Sequence, residues 1–164
     1  MLIRLAAESD SPFIVDIYNS TIPSGTVTAD TSPVSVESRI GWFCEHNPHN
    51  RPIWVAQDDD IIVGWLSLST FYNRPAYNST VEVSIYIAQE YRRKGIGNKL
   101  LSKAILESPS LGITTILAFV FGHNKPSLQF FKQFNFERWG SLPKVAVLDG
   151  KERDLFILGL RVKP

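Results

Sequence analysis

The sequence predicts an α/β protein in which a mixed sheet is covered by helices on both faces. Three observations carry that expectation. Apolar spacing switches between the helical and the alternating period along the 164 residues, in the order β-α-α-β-β-β-α-β-α-β-β. Residues 80–88 alternate without a break, with Val81, Val83, Ile85 and Ile87 on one face and Glu82, Ser84 and Tyr86 on the other. A glycine-bearing basic turn then leads directly into an amphipathic helix.

Residues 1–5 read as a first strand with Ile3 and Leu5 on one side. Ser9 or Asp10 can cap a helix whose Phe13, Ile14, Ile17 and Tyr18 recur at helical spacing. Residues 22–33 hold two Pro, one Gly and several Thr, which makes a long loop. Ser35 then caps a second helix, with Ile40, Phe43 and Val36 inward, ending before Pro48. The β-prone runs 53–56 and 61–69, joined by Asp58, Asp59 and Asp60, form a hairpin, and a Tyr/Asn/Pro-rich loop over 71–79 follows.

Beyond the alternating strand, Ile96, Leu100, Leu101, Ala104 and Ile105 make one stripe of a helix, and residues 114–121 a buried strand. Asn124 and Pro126 start another helix with Leu128, Phe131 and Phe134 inward. Strands over 136–147 and 153–162 flank Asp149-Gly150, a hairpin-turn pair. With no repeat or linker, residues 1–164 read as one domain.

Lys and Arg number 17 against 16 Asp and Glu, so there is no general electrostatic drive toward nucleic acid or an anionic membrane. The longest apolar stretches, such as 113–121, fall far short of the roughly 20 residues of a spanning helix. Residues 1–10 show no secretory pattern, and Cys44 is the only cysteine, which excludes an internal disulfide; a cytoplasmic location fits. His46 and His49 are separated by Pro48 with no third ligand near, so no metal is expected.

The strongest chemical feature is Arg92-x-x-Gly95-x-Gly97 between a strand and a helix. The first amides of a helix lack internal partners and carry partial positive charge, while glycine lets a phosphate approach closely. Arg92, Arg93, Lys94 and Lys99 add charge, so the segment reads either as a diphosphate cradle or as a turn with solvated basic residues. It matches neither a P-loop nor the dinucleotide fingerprint, whose third glycine is replaced by Leu100.

This turn resembles the acetyl-CoA pyrophosphate motif of GNAT acetyltransferases, and Asn124-x-x-Ser127 with Phe131 and Phe136 resembles their second cofactor segment. Ile17-Tyr18-Asn19-Ser20, Thr28-Ala29-Asp30-Thr31, Arg39 with Trp42-Phe43, Arg74-Pro75-Ala76-Tyr77 and residues 82–87 are similar to the phosphinothricin and methionine sulfoximine or sulfone N-acetyltransferases. So are residues 122–127 and Asp149-Gly150 with Asp154-Leu155. The resemblance implies the GNAT fold, with a central, mostly antiparallel sheet. It implies acetyl-CoA as donor, the amine of a small amino-acid-like acceptor and a homodimer. Ile85, Tyr86 and Ile87 would hold the pantetheine arm and thioester. Arg92, Arg93, Lys94, Gly95, Ile96, Gly97 and Asn98 would hold the diphosphate. Asn124 and Ser127 would contact the rest of the cofactor, and Arg74, Pro75, Ala76 and Tyr77 would border the acceptor.

An ammonium must lose a proton before it can attack a thioester, and Glu82 is the expected base because alternation sets it on the polar face of the strand. The developing oxyanion is best met by a backbone N–H near Ile85. If the acceptor is an amino acid, Arg74 is available for its carboxylate. Phe131 stands where many members carry a tyrosine thought to protonate the leaving thiolate, so that proton needs another source or thiolate leaves directly. Asn135 replaces a glycine that commonly follows the helix. Two other readings stay open: a CoA-binding regulatory domain without turnover, and an acetyltransferase for peptide or protein N-termini.

Overall fold

The computed structural model describes residues 1–162. The elements are β1 (Leu2–Leu5), α1 (Ser11–Asn19), α2 (Val36–Cys44), β2 (Ile53–Asp58), β3 (Ile61–Thr70), β4 (Thr80–Ile87), α3 (Ile96–Glu107), β5 (Thr115–Phe121), α4 (Lys125–Gln133), β6 (Glu137–Leu148) and β7 (Lys151–Arg161). The strands form a 7-stranded sheet in the order β1-β2-β3-β4-β5-β7-β6. Every neighbouring pair is antiparallel except β4 and β5.

Alternation divides the strands between two cores. On one face Trp54, Leu66, Leu68, Val81, Val83, Ile116, Ala118 and Val120 pack with Ile96, Leu100, Leu101 and Ala104 of α3 and Phe131 of α4. On the other, Ile53, Val55 and Trp65 pack with Ile14 and Ile17 of α1, and Trp42 and Phe43 of α2 lie against them. The buried Trp65 indole donates to the Ile14 carbonyl at 3.1 Å, tying α1 to the sheet.

Local signals act as their chemistry requires. Ser35 Oγ accepts from the Ser38 N–H at 3.1 Å and starts α2. Asp149 and Gly150 have φ of 51° and 71°, the left-handed pair of a tight hairpin turn. Asn135 sits at φ 63° after α4, as its short polar side chain permits.

Three burial expectations are corrected. Phe13 is exposed whereas Val15 is buried, because α1 turns Ile14 and Ile17 onto Trp65 and sets Val15 against the cavity between β4 and β5. Ile40 is exposed, since α2 turns Trp42 and Phe43 toward the sheet instead. Leu5 is exposed although Ile3 packs on the core, because β1 is a short edge strand.

Candidate active site

The parallel pairing of β4 and β5 stops after three residues: Thr80 faces Thr115, Val81 faces Ile116 and Glu82 faces Leu117. Beyond that point β4 stays paired to β3, and β5 to β7. The two strands therefore splay, and a wedge opens in the middle of the sheet. The Ala88 N–H bonds to the Val63 carbonyl at 2.9 Å. Backbone groups alternate sides along a strand, so those of Val83, Ile85 and Ile87 point away from β3 and into the wedge.

A cavity of about 450 Å³ occupies this split. Val83, Ala118, Val120 and Phe131 line it from the α3/α4 side, and Ser84, Tyr86, Phe119 and Trp65 from the α1/α2 side. The cavity thus passes through the sheet and joins its two faces. Glu82 lines it at the apex of the wedge. Burial raises its carboxyl above the ordinary glutamate value, and among the described residues no donor reaches it. A carboxylate held in that way is more basic than a solvated one.

Arg39 is the cavity's one cationic lining side chain among the described residues. It donates to Asp30 at 3.0 Å and lies 4.8 Å above the Tyr18 ring. Tyr18 donates to Asp30 and bonds Thr28, whereas burial, followed by the Asp30 contact, raises its phenol. Tyr86 stacks on Trp65 at 4.7 Å, and burial raises its phenol as well. Sequence reasoning left Arg39, Tyr18, Thr28, Trp42 and Trp65 out of the site. The available signal was that Tyr18, Thr28, Arg39 and Trp42 lie in segments that resemble the phosphinothricin group, although nothing local draws these segments together or toward Trp65.

Of the residues expected at the cofactor, Ile85, Tyr86, Asn124 and Ser127 line the cavity. Asn124 is buried and caps α4, its side-chain oxygen accepting from the Ser127 N–H at 3.2 Å. Arg92, Arg93, Lys94 and Gly95, on the turn that leaves the open end of β4, and Ile96, Gly97 and Asn98, in the first turn of α3, lie outside the lining. The first bond into α3 is from the Lys99 N–H to the Gly95 carbonyl at 3.1 Å, so the amides of Ile96, Gly97 and Asn98 have no intrahelical acceptor.

Arg93 and Gly95 take left-handed φ of 61° and 78°, which folds the turn back on itself. A Cβ at Gly95 would meet nothing within 4 Å, whereas one at Gly97 would come within 3.3 Å of the Phe130 ring. Gly95 therefore leaves space that a phosphate could enter, and Gly97 lets α3 pack. Arg92 donates to the Ile87 carbonyl at 3.2 Å and Lys94 lies 4.7 Å from the Tyr91 ring. The open amides and the uncovered glycine suit a diphosphate, and the split strands suit a thin pantetheine arm.

A model of the acetyltransferase (GNAT) family matches residues 14–136. The chain belongs to that family. It is 51% identical over 160 residues to the Bacillus subtilis (strain 168) protein named "Putative phosphinothricin acetyltransferase YwnH", covering 97% of this chain and 98% of that one. It is 27% identical to the L-amino acid N-acyltransferase MnaT of Escherichia coli (strain K12), over 99% of this chain and 94% of the relative. A crystal structure of a Sinorhizobium meliloti phosphinothricin acetyltransferase in complex with acetyl-CoA superposes with a TM-score of 0.92 at 28% identity, covering 98% of this chain and 88% of the other. The chain is an acetyl-CoA-dependent acetyltransferase with the GNAT fold.

The remaining expected positions lie elsewhere. Arg74, Pro75, Ala76 and Tyr77 are exposed on a short turn after β3 and do not line the cavity. Their loop reaches it through Phe71, whose ring lies 6.4 Å from that of the lining residue Phe119. Both ring nitrogens of His46 are engaged within the protein. Cys44 is exposed.

Proposed function

We propose that this GNAT enzyme acetylates the amine of a small amino-acid-like acceptor of the phosphinothricin, methionine sulfoximine or methionine sulfone type. The observation that carries the proposal is the wedge. Its α3/α4 side opens toward the glycine turn, its α1/α2 side toward Arg39 and the aromatic residues, and Glu82 stands where the two meet. A thioester carbonyl lying along the wedge would face the Ile85 N–H, which stabilises the negative charge that develops on its oxygen. Glu82 takes one proton from the acceptor ammonium, the freed amine attacks and the C–N bond forms; as the C–S bond breaks, the nitrogen gives up its second proton to water or to the departing thiolate.

Asn124 and Ser127 border the cofactor from α4, and residues 92–98 hold its diphosphate through their open amides. Arg39 receives the acceptor's carboxylate through N–H groups that Asp30 leaves unused. Arg74, with Pro75, Ala76 and Tyr77, borders the acceptor from the loop that meets Phe119 through Phe71. Phe131 lines the cavity without a hydroxyl, so the departing thiolate leaves as such or is protonated by water.

One continuous sheet supports reading residues 1–164 as a single catalytic domain. Trp139, Leu142, Val145 and Val147, exposed on the edge strand β6, support a homodimer, and a lone exposed thiol suits a reducing cytoplasm. A screen for free-thiol release from acetyl-CoA tests the substrate reading, using phosphinothricin, methionine sulfoximine, methionine sulfone, ordinary amino acids and polyamines. Preference for the first three is expected; preference for polyamines overturns it.

A further inference from the structure

We propose that His46, acting through the Ser69 hydroxyl, is a positioning and proton-relay residue for Glu82; the proposal rests on the reading of Glu82 as the base. His46 lies just past the C-terminal end of α2 and Ser69 near the end of β3. The His46 Nδ1 is 2.7 Å from the Trp42 carbonyl oxygen and its Nε2 is 3.0 Å from Ser69 Oγ. A carbonyl only accepts, so Nδ1 carries the hydrogen. The neutral ring then offers a lone pair at Nε2, and the Ser69 O–H donates to it. The serine hydrogen is thereby committed away from the wedge.

Ser69 stands directly opposite Glu82 across the β3–β4 ladder. Counting from the bonded Val63–Ala88 pair, Ser69 and Glu82 form a hydrogen-bonded pair, with Cα atoms about 5.5 Å apart and side chains on the same face. With its O–H turned to His46, Ser69 presents only lone pairs to Glu82. It cannot stabilise the carboxylate, but it can accept a hydrogen bond from the acid that forms when Glu82 takes the substrate proton. The shift of Glu82 by burial, with no compensating donor, agrees with this arrangement. Burial also keeps the His46 imidazole neutral, while Glu45 and Arg51 act on it in opposite senses and Glu82 faces it across Ser69.

The transfer balances with one proton. Glu82 makes no hydrogen bond to Ser69 in this structure, so its side chain must first swing toward this cross-strand neighbour; the acid O–H then gives its hydrogen to Ser69 Oγ as the serine hydrogen passes to His46 Nε2. This restores the carboxylate and leaves an imidazolium that releases a proton to water. A purely structural role, in which His46 only closes the end of α2, would change stability and leave the pH profile unchanged.

The test uses the full-length enzyme with acetyl-CoA and the best acceptor of the thiol-release screen. Ser69→Ala and His46→Leu are each expected to lower kcat about tenfold, with the KM for acetyl-CoA unchanged. Their double variant should be no worse than either alone, and Ser69→Thr should recover turnover by restoring the hydroxyl. The acid limb of kcat should move in Ser69→Ala, and adding His46→Leu to Glu82→Gln should cause no further loss. A wild-type rate and pH profile in Ser69→Ala overturns the relay, as does a full His46 effect on the Glu82→Gln background. Should His46→Leu fail to fold, Ser69→Ala and Ser69→Thr decide the question. Wild-type turnover in Glu82→Gln would instead overturn the base assignment, a separate result.

Discussion

The two ends of β4 share one alternating pattern and have different jobs. At the first end Val81 is fully buried and the strand is bonded on both sides, to β3 and to β5. At the second, Ile85, Tyr86 and Ile87 are only half-buried and have β3 alone as a strand partner. Glu82 lies at the last rung before the strands part. A strand that loses one neighbour midway exposes backbone groups in a place still walled by the core, which is what a ligand arm needs. The zipped end supplies stability and the open end supplies chemistry.

The largest expected effect tests the rung between them. Glu82→Gln should lower kcat by about 100-fold, roughly 3 kcal/mol of barrier, with acetyl-CoA affinity held. Because burial raises the Glu82 carboxyl and only its ionised form accepts a proton, wild-type kcat should fall as pH drops through a value above the ordinary 4.5. The variant should lack that limb in a pH–rate profile. The same shift means that the folded state favours protonated Glu82, so its charge opposes folding as pH rises through the shifted value. Glu82→Gln should therefore raise the melting temperature at neutral pH while it destroys activity; a lowered one breaks the division between stability and chemistry.

Val81→Ala comes next. Removing buried methyl groups at the zipped end should cost about 2.5 kcal/mol in urea unfolding, with the KM for acetyl-CoA unchanged in the folded enzyme. Ile85→Ala, at the open end, should destabilise less and raise that KM, so equal effects in both assays would erase the contrast. Gly95→Val should weaken acetyl-CoA binding about tenfold, near 1.4 kcal/mol, by titration. It places a branched side chain at φ 78° in otherwise open space. Unchanged affinity would remove the turn from the cofactor site.

The smallest effect lies far from the wedge. Asp10 accepts from Arg4 at 2.7 and 2.9 Å and from the Ala7 N–H at 2.8 Å, and the Arg4 hydrogen bond lowers its carboxyl. Asp10→Asn should cost about 1 kcal/mol of stability and nothing in kcat. That stability is present above the ordinary aspartate range and is lost as pH falls through the lowered value, so the variant's deficit should vanish in strong acid.

Much of this was legible in the chain. The alternation of residues 80–87 set the faces of β4 and placed Glu82 on the polar one; helical spacing found the α3 stripe; Ser35 and Asp149-Gly150 announced a cap and a turn through their own backbone chemistry. Such features depend on neighbours a few residues away, and local sterics decide them. Phe13 and Ile40 were misread because periodicity finds an apolar stripe without saying which part of it a particular sheet will cover.

By itself, then, the sequence determined the order of elements, the polar face of β4 and the basic glycine turn before α3, all properties of short stretches of chain. Tertiary structure alone decided that β4 and β5 part after three rungs, that Arg39 and Trp65 share a cavity with Glu82, and that Ser69 lies between Glu82 and His46. Those facts join residues from distant segments, and the packing of two cores on opposite faces of one sheet settles them.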